Sequence, residues 1–542
     1  MKVSRSRAPT TIPNPISLTA PLVSAPNAPQ LSDLVAGLGR LATPPWVDPV
    51  IRGLSDDSRI AGPGDLFLAR SGDPASDRTH LAAAIDAGVA AVAAPSAALE
   101  GFVPARPVAV LAIDAASSRS WVGEIAARFH GRPGAALAAV GVTGTNGKTT
   151  VTWLLRQLLR ACGVRCGLVG TVAIDDGGGE RAASLTTPGA LELQATLARM
   201  VAHGCRAAAI EVSSHALDQE RVAGVPFRAA VFTNLSGDHL DYHGSMEAYA
   251  AAKRRLFEGL DAGATAIVNA GDPAAATMTA GLAARVLRFE VEDRDGARGV
   301  SAASEIRGTI GAMSPEGVDL RIRSPWGGGE VRLPLTGRHN AENALAAFAA
   351  AMTVLGETGS SAAVIEALGT VTAPPGRFER VPVAEGGFTV LVDYAHTDDA
   401  LGRALAALRP LRPPGGRLIV VFGCGGDRDR GKRPRMAAAA CAHADRVIVT
   451  SDNPRTEDPA AIVEEVLAGV PASASGRVAS EVDRAAAISQ AIAEASEGDI
   501  VLIAGKGHED CQIVGRERRD FDDRRVAASA IAARQRQATA NR

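Results

Sequence analysis

Along most of the chain a short apolar run ends in a polar turn, often with glycine, and an alanine- and leucine-rich amphipathic stretch follows. Alternation of this kind predicts strand followed by helix, and so an α/β protein with mainly parallel sheets. The apolar runs at 138–142, 207–210, 230–232, 389–392, 418–422, 447–450 and 501–503 predict strands, and each leads into polar residues. Glu211 follows the second run, Asn234 the third and Asp393 the fourth. Gly423-Cys424-Gly425-Gly426-Asp427-Arg428, Asp452-Asn453-Pro454-Arg455 and Gly505-Lys506-Gly507-His508-Glu509 follow the last three. Ligands of open α/β sheets bind beyond the carboxyl ends of the strands. The polar clusters therefore predict two sites, one per sheet, facing each other across a cleft.

Proline and glycine break the periodicity at Pro133-Gly134 and Pro374-Pro375-Gly376, which predicts hinges there. The blocks are a smaller N-terminal α/β domain over 31–134, a central P-loop ATPase-like domain over 135–373, and a C-terminal Rossmann-like domain over 374–542. Residues 1–30, rich in Pro, Ala, Ser and Thr, predict a disordered extension. With 46 % apolar and 21 % charged residues, each block can bury a core. A net charge of −2 supplies no bulk attraction for nucleic acid or an anionic membrane. No uncharged run reaches membrane-spanning length and no secretory apolar region precedes the first block. The six cysteines form no C-x-x-C pair, which predicts free thiols in a reducing cytoplasm and neither a zinc site nor a disulfide framework.

Gly144-Thr145-Asn146-Gly147-Lys148-Thr149-Thr150 lies between a predicted strand and the helical pattern Val151, Leu154, Leu155, Leu158, Leu159. Strand, glycine loop and helix is the setting of a phosphate-binding loop: backbone N–H groups and the helix N-terminus face the phosphate oxygens. Lys148 would neutralise the β- and γ-phosphates and Thr149 would bind Mg²⁺. Val142 stands where the strict motif has its first glycine. Glu211, at a strand end some sixty residues on, suits a magnesium ligand. Two His and two Asp within 238–243 add a metal or phosphate role. Lys253, beside Arg254 and Arg255, reads by residue type alone as an exposed helical lysine.

These segments in their order, with Glu211-Val212-Ser213-Ser214-His215, Tyr249-Ala250-Ala251-Ala252-Lys253, Gly337, Asn340, Asn343, Pro375-Gly376-Arg377-Phe378-Glu379 and Asp393-Tyr394-Ala395-His396, resemble the Mur ligase family over about residues 50–530. The resemblance implies an ATP-dependent ligase that forms an amide bond through an acyl phosphate, in the synthesis of cell-wall peptidoglycan precursors. It implies ATP on Gly144, Thr145, Asn146, Gly147, Lys148, Thr149, Thr150, Asn343, Arg377 and His396. One Mg²⁺ would lie on Thr149 and Glu211, and a second on His239 and a carbamylated Lys253. Lys148, His239 and Lys253 would be catalytic. A uridine-binding first block would contact UDP-N-acetylmuramoyl-L-alanyl-D-glutamate through Ser58, and Thr186, Thr187, Ser213, Gln219 and Arg221 would hold the rest of it. Asp452-Asn453-Pro454-Arg455 matches members that add meso-diaminopimelate, with Arg428, Gly505 and Glu509 completing that site. Arg455 would hold the extra carboxylate bidentately, and Asp452, Asn453 and Glu509 the ammonium. A monomer is expected. Two positions depart from the family: Asp398, where Pro is usual, and Asp73-Pro74 in the 72–78 loop, which puts that loop's uridine contacts in doubt. Folate polyglutamate synthetases share the glycine loop, but the 452–455 motif and the first block oppose that reading. The same features, with the His/Asp stretch, oppose a regulatory P-loop switch or a transporter subunit.

Overall fold

The computed structural model describes residues 28–41, 48–113, 120–293, 304–383 and 387–540. Most of the expected N-terminal extension, residues 1–27, lies outside them. The fold is α/β, as the strand–helix alternation predicts, and the seven apolar runs named above are all strands.

Contacts divide the chain into two compact units. The first comprises Met1–Ala136, Gly189–Ala202 and Gln219–Val225. Its five-stranded sheet runs in the order Arg40–Leu41, Ala109–Ile113, Ala91–Pro95, Asp65–Leu68, Gly53–Ser55, parallel except for the first pair. The helix Ala190–Ala202 joins this unit although it follows the phosphate loop in sequence. Its buried face, with Leu193, Leu197 and Met200, accompanies a packed contact with the helix Trp121–Phe129. The Asp73-Pro74 departure is a helix start. Asp73 caps the helix Pro74–Asp86 by accepting from Ala75 N and Ser76 N, and Pro74 takes the first helical position, where its missing N–H costs nothing.

The second unit holds an eleven-stranded sheet and a six-stranded sheet. In the larger, Ala138–Thr143 lies between Ala207–Glu211 and Phe227–Phe232, all parallel. Register sets Glu211 beside Val142 and Phe232 beside Thr143, so three carboxyl ends finish at one level. Val142, at the position of the missing first glycine, is still within its strand and fully buried. The helices Lys148–Ala161 and Arg338–Leu355 share one hydrophobic core with this sheet. The smaller sheet runs Glu379–Val381, Thr389–Asp393, Ile500–Ala504, Leu418–Cys424, Arg446–Ser451, Val478–Ser480, parallel after its first pair. Asp393 pairs with Ala504 and Cys424 with Ser451, so the segments that begin at Tyr394, Gly505, Gly425 and Asp452 leave from one edge. Asp398 opens the helix Asp398–Leu408, where an acidic residue favours the helix dipole, and it also accepts from Arg435 Nε at 3.1 Å.

Among the described residues no helix is long and apolar enough to cross a membrane. The six cysteines are free thiols.

Candidate active site

The phosphate loop is shaped by the residues behind it. Gly147 has φ +89°, and a Cβ there would collide with Asn343 Oδ1, so both backbone and space require glycine. Thr145 N donates to Asn234 O at 2.8 Å and Asn146 N to Asn234 Oδ1 at 3.0 Å. The Thr233 hydroxyl donates to Asn146 O at 2.6 Å. Lys148 turns back over the loop and donates to Gly144 O at 2.9 Å and Thr145 O at 2.8 Å. Those carbonyls hold its ammonium where phosphate oxygens would compete for it.

Beyond the next strand, Glu211 is 1 % exposed. Its Oε2 accepts from the Thr149 hydroxyl and the Thr171 hydroxyl, each at 3.0 Å, and Oε1 accepts from Thr171 N at 2.9 Å. Burial raises its pKa, against the pull of the Thr171 N–H, Lys148, Arg377 and Thr149. A buried carboxylate and a hydroxyl oxygen 3.0 Å apart form a hard-oxygen donor pair. Among the described residues no group of three or more His, Cys, Asp or Glu side chains is arranged to hold a metal. A pair suits magnesium nonetheless, because that ion keeps waters and phosphate oxygens in its remaining positions.

Lys253 corrects the reading from residue type alone: it is 1 % exposed. It lies on the buried stripe of its helix with Tyr249, Ala252, Leu256 and Phe257. Its ammonium donates to Gly144 O at 2.8 Å and sits 4.3 Å from the Tyr249 ring centroid. Two lysines, 148 and 253, thus share one carbonyl. Burial, then the neighbouring Lys148 charge, push the Lys253 pKa well below that of a free lysine. His239, at φ +55°, is about half exposed and packs edge-on against His215 with centroids 4.8 Å apart. His243 Nε2 lies 3.0 Å from Ser214 Oγ.

Of the residues expected to hold the UDP-linked substrate, three lie together in the second unit. Thr187 donates to Glu211 O at 2.7 Å and accepts from Ser213 N at 3.1 Å, while Thr186 Oγ1 lies 3.0 Å from Thr171 Oγ1. Gln219 and Arg221 belong to the first unit, where Arg221 donates to Gln219 Oε1 through Nε and Nη2. Ser58, also there, follows Asp57, whose carboxylate is held at about 2 by Arg59.

In the smaller sheet, Asp452 is 8 % exposed and Asn453 4 %. Asn453 Oδ1 accepts from Lys506 Nζ at 2.8 Å and Ile513 N at 3.0 Å, and its amide donates to Glu509 Oε2 at 2.8 Å. With both lone pairs engaged, Asn453 orients Glu509 and the loop around it. Lys506, fully buried, also reaches Glu509 at 3.2 Å. Arg455, at φ +51°, donates from Nη1 to Gly426 O at 2.8 Å. Arg428 follows in that same loop. Arg377 projects over the ring of Tyr394, at 4.6 Å, and its charge acts on Lys148, Glu211 and Asp393. Burial pushes the Tyr394 hydroxyl up, with Glu509 the next cause. His396 Nδ1 lies 2.9 Å from Tyr394 O. Asn343, behind the loop, donates to Asn340 Oδ1 at 3.3 Å.

Sequence reading passed over Lys506, Arg433 and the fully buried Arg484–Asp523 pair at 2.7 Å. Each arginine sits on an apolar helix stripe, Arg433 with Met436, Ala437 and Ala440, Arg484 with Ala487, Ile488 and Ala491. A charge on such a stripe signals a buried partner.

A lysine over a phosphate loop, a buried carboxylate–hydroxyl pair beside it, and a second polar cluster at the strand ends of the smaller sheet are the equipment of an ATP-using α/β enzyme. Residues 142–351 match the Mur ligase middle domain, and residues 376–507 the Mur ligase glutamate ligase domain. A UDP-N-acetylmuramoyl-L-alanyl-D-glutamate–2,6-diaminopimelate ligase of Parasynechococcus marenigrum (strain WH8102) is 48 % identical over 497 residues, covering 90 % of this chain and 96 % of that protein. Its counterpart from Synechococcus sp. (strain WH7803) is 46 % identical, covering 89 % and 94 %. A solved structure of a ligase with that name superimposes with a TM-score of 0.64 at 34 % identity, covering 91 % of this chain and 98 % of the other. The chain belongs to the Mur ligase family.

Proposed function

We propose that this protein joins meso-diaminopimelate to the D-glutamate of UDP-N-acetylmuramoyl-L-alanyl-D-glutamate, with ATP as the energy source, in peptidoglycan precursor synthesis. The relatives that carry this activity in their names align over nine-tenths of the chain. The observation that carries the reading is the phosphate loop itself, with Lys148 folded over the Gly144 and Thr145 carbonyls and the Thr149 hydroxyl 3.0 Å from the buried Glu211 carboxylate.

In this reading the γ-carboxylate of D-glutamate attacks the γ-phosphate of ATP, giving an acyl phosphate and ADP. The diaminopimelate amine then attacks the acyl carbon and phosphate leaves. Lys148 leaves the carbonyls of Gly144 and Thr145 for the phosphate oxygens and stabilises the charge that develops on them. Arg377, over the Tyr394 ring, is assigned as a second cation for the phosphates, and His396 completes the phosphate contacts. Gly144 to Thr150 cradle the phosphates, and Asn343 lies by the base. Mg²⁺, held by Thr149 and Glu211, would supply further neutralisation of the phosphates. Lys253 is read as the carbamylated ligand of a second Mg²⁺ with His239: burial and the Lys148 charge make its amine easier to deprotonate, the free amine can add CO₂, and Lys148 beside it would balance the resulting anion.

Residues 31–134 are assigned to the uridine end of the substrate through Ser58, 135–373 to ATP and 374–542 to the amino acid. Thr186, Thr187 and Ser213, beside Glu211, with Gln219 and Arg221, are assigned to the pyrophosphate and peptide. Asp452 and Glu509 face the ammonium of diaminopimelate. Arg455 donates one hydrogen bond to Gly426 O and, with Arg428, offers its remaining N–H groups to the distal carboxylate. Lysine lacks that carboxylate, and its distal ammonium would meet these cations.

Mass spectrometry of the products from UDP-N-acetylmuramoyl-L-alanyl-D-glutamate, ATP and either amino acid tests this. A diaminopimelate adduct formed with equimolar ADP and phosphate is expected. An adduct with lysine alone, or ADP without any adduct, would overturn the reading.

A further inference from the structure

The two loops that carry Arg428 and Arg455 are tied together from behind. Gly426 N donates to Asn453 O at 2.9 Å, and Arg455 Nη1 donates to Gly426 O. A Cβ at Gly426 would strike Pro454 O, so the backbones are in direct contact. The Asp427 carboxylate accepts from Thr456 N at 3.2 Å and from the Thr456 hydroxyl at 2.7 Å. Asp427 N donates to Glu457 Oε1 at 2.6 Å. Asp427 and Arg455 both hold left-handed backbone conformations, at φ +53° and +51°. Non-glycine residues keep such conformations where the surroundings over-determine them.

Behind this junction is Arg433, whose side chain has no exposed surface. Its Nη2 donates to Gly425 O at 3.2 Å and to Glu457 Oε1 at 2.8 Å. Its Nη1 donates to Glu457 Oε2 at 3.0 Å and Glu465 Oε2 at 2.7 Å. One planar guanidinium therefore grips the glycine loop by its backbone and the 452–457 loop by Glu457. It also pairs with the carboxylates of Glu457 and Glu465, which Arg430 partners as well. Arg433 first, then Asp427 N–H, hold Glu457 at about 2, so it is always ionised.

We infer that Arg433 is a positioning residue for the incoming amino acid: through Gly425 O and Glu457 it sets the spacing of Arg428 and Arg455, and so the preference for a distal carboxylate. This rests on the diaminopimelate reading above. Lysine cannot replace it, because a point-like ammonium cannot meet Gly425 O and two carboxylates in one plane.

The test is steady-state kinetics of full-length Arg433→Lys, Glu457→Gln and Thr456→Val. For Arg433→Lys the KM for diaminopimelate is expected to rise about tenfold or more, as charge-assisted hydrogen bonds are lost. The kcat and the KM for ATP should stay within about twofold, and preference over lysine should fall by the same factor as affinity. Thr456→Val changes an exposed residue and removes one tie, so a smaller rise of about two- to fivefold is expected even if the arginine variant fails to fold. Variants that keep the wild-type melting temperature with unchanged KM for diaminopimelate would overturn the inference, as would a parallel rise in all three KM values. A wild type that makes no diaminopimelate adduct would defeat the proposed function and this inference together. An active wild type with unmoved variants would defeat the inference alone.

Discussion

The Arg377 guanidinium carbon lies 4.6 Å from the centroid of the Tyr394 ring. Arg377 follows the Pro374-Pro375-Gly376 break and Tyr394 follows the strand Thr389–Asp393. The Arg377 charge is among the causes that lower the pKa of Lys148 and that pull against burial at Glu211.

In the proposed reading, Arg377→Ala would remove a cation that serves the phosphates, without touching the loop backbone. We expect kcat/KM for ATP to fall about 100-fold, as for loss of one charge-stabilising donor, with the fold unchanged by circular dichroism. Arg377→Lys should recover only part of this loss, because lysine stacks on Tyr394 less well. Full activity in the alanine variant would show that the contact is structural only.

Glu211 must be ionised to hold a magnesium ion with Thr149, yet burial raises its pKa. Activity should therefore rise with pH through an acid limb that lies above the range of an exposed glutamate. Higher Mg²⁺ should shift the limb to lower pH, since the ion competes with the proton. Glu211→Gln should abolish that magnesium-dependent shift and reduce kcat by at least about 100-fold. Rate–pH profiles at two magnesium concentrations measure both effects.

Arg455→Ala should raise the KM for diaminopimelate by about 30- to 150-fold, the effect of losing a bidentate charge-assisted contact. The KM for ATP should stay near the wild-type value. Equal loss for diaminopimelate and lysine would mean that Arg455 does not read the distal carboxylate.

His130, His339 and His508 are each pushed down to about 4, chiefly by burial. Unfolded histidine binds its proton near pH 6.5. Between pH 6.5 and 4 the unfolded chain therefore holds more protons, and folding stability is full above that window and lost as pH falls through it. Denaturant midpoints at pH 7 and 4.5 should show the fall. His339→Phe, which keeps a ring beside Phe378, now tilted against His339 with centroids 4.8 Å apart, should lessen it. An identical pH dependence in that variant would remove His339 from the account.

Much of the site was legible in the chain because its chemistry is local. The phosphate loop is seven consecutive residues, and the Asp452 to Arg455 motif is four. Strand ends could be read as ligand-facing because apolar runs stop abruptly at Glu211 and Asp393. The first-unit helix Ala190–Ala202 could not be assigned from its position, since nothing local says which sheet or helix an amphipathic face will meet. Lys253 was misjudged by residue type, although its spacing from Tyr249, Leu256 and Phe257 marks a buried stripe.

By itself, the sequence determined the α/β alternation, the glycine loop with its lysine, and the short motifs at the strand ends, because backbone freedom and hydrophobic period are properties of neighbouring residues. Tertiary structure alone decided that Thr149 meets Glu211, that Arg377 covers Tyr394, and that Arg433 ties Gly425 to Glu457. Those partners are 62, 17 and, from Arg433, 8 and 24 residues apart, and parallel register and helix burial bring them together.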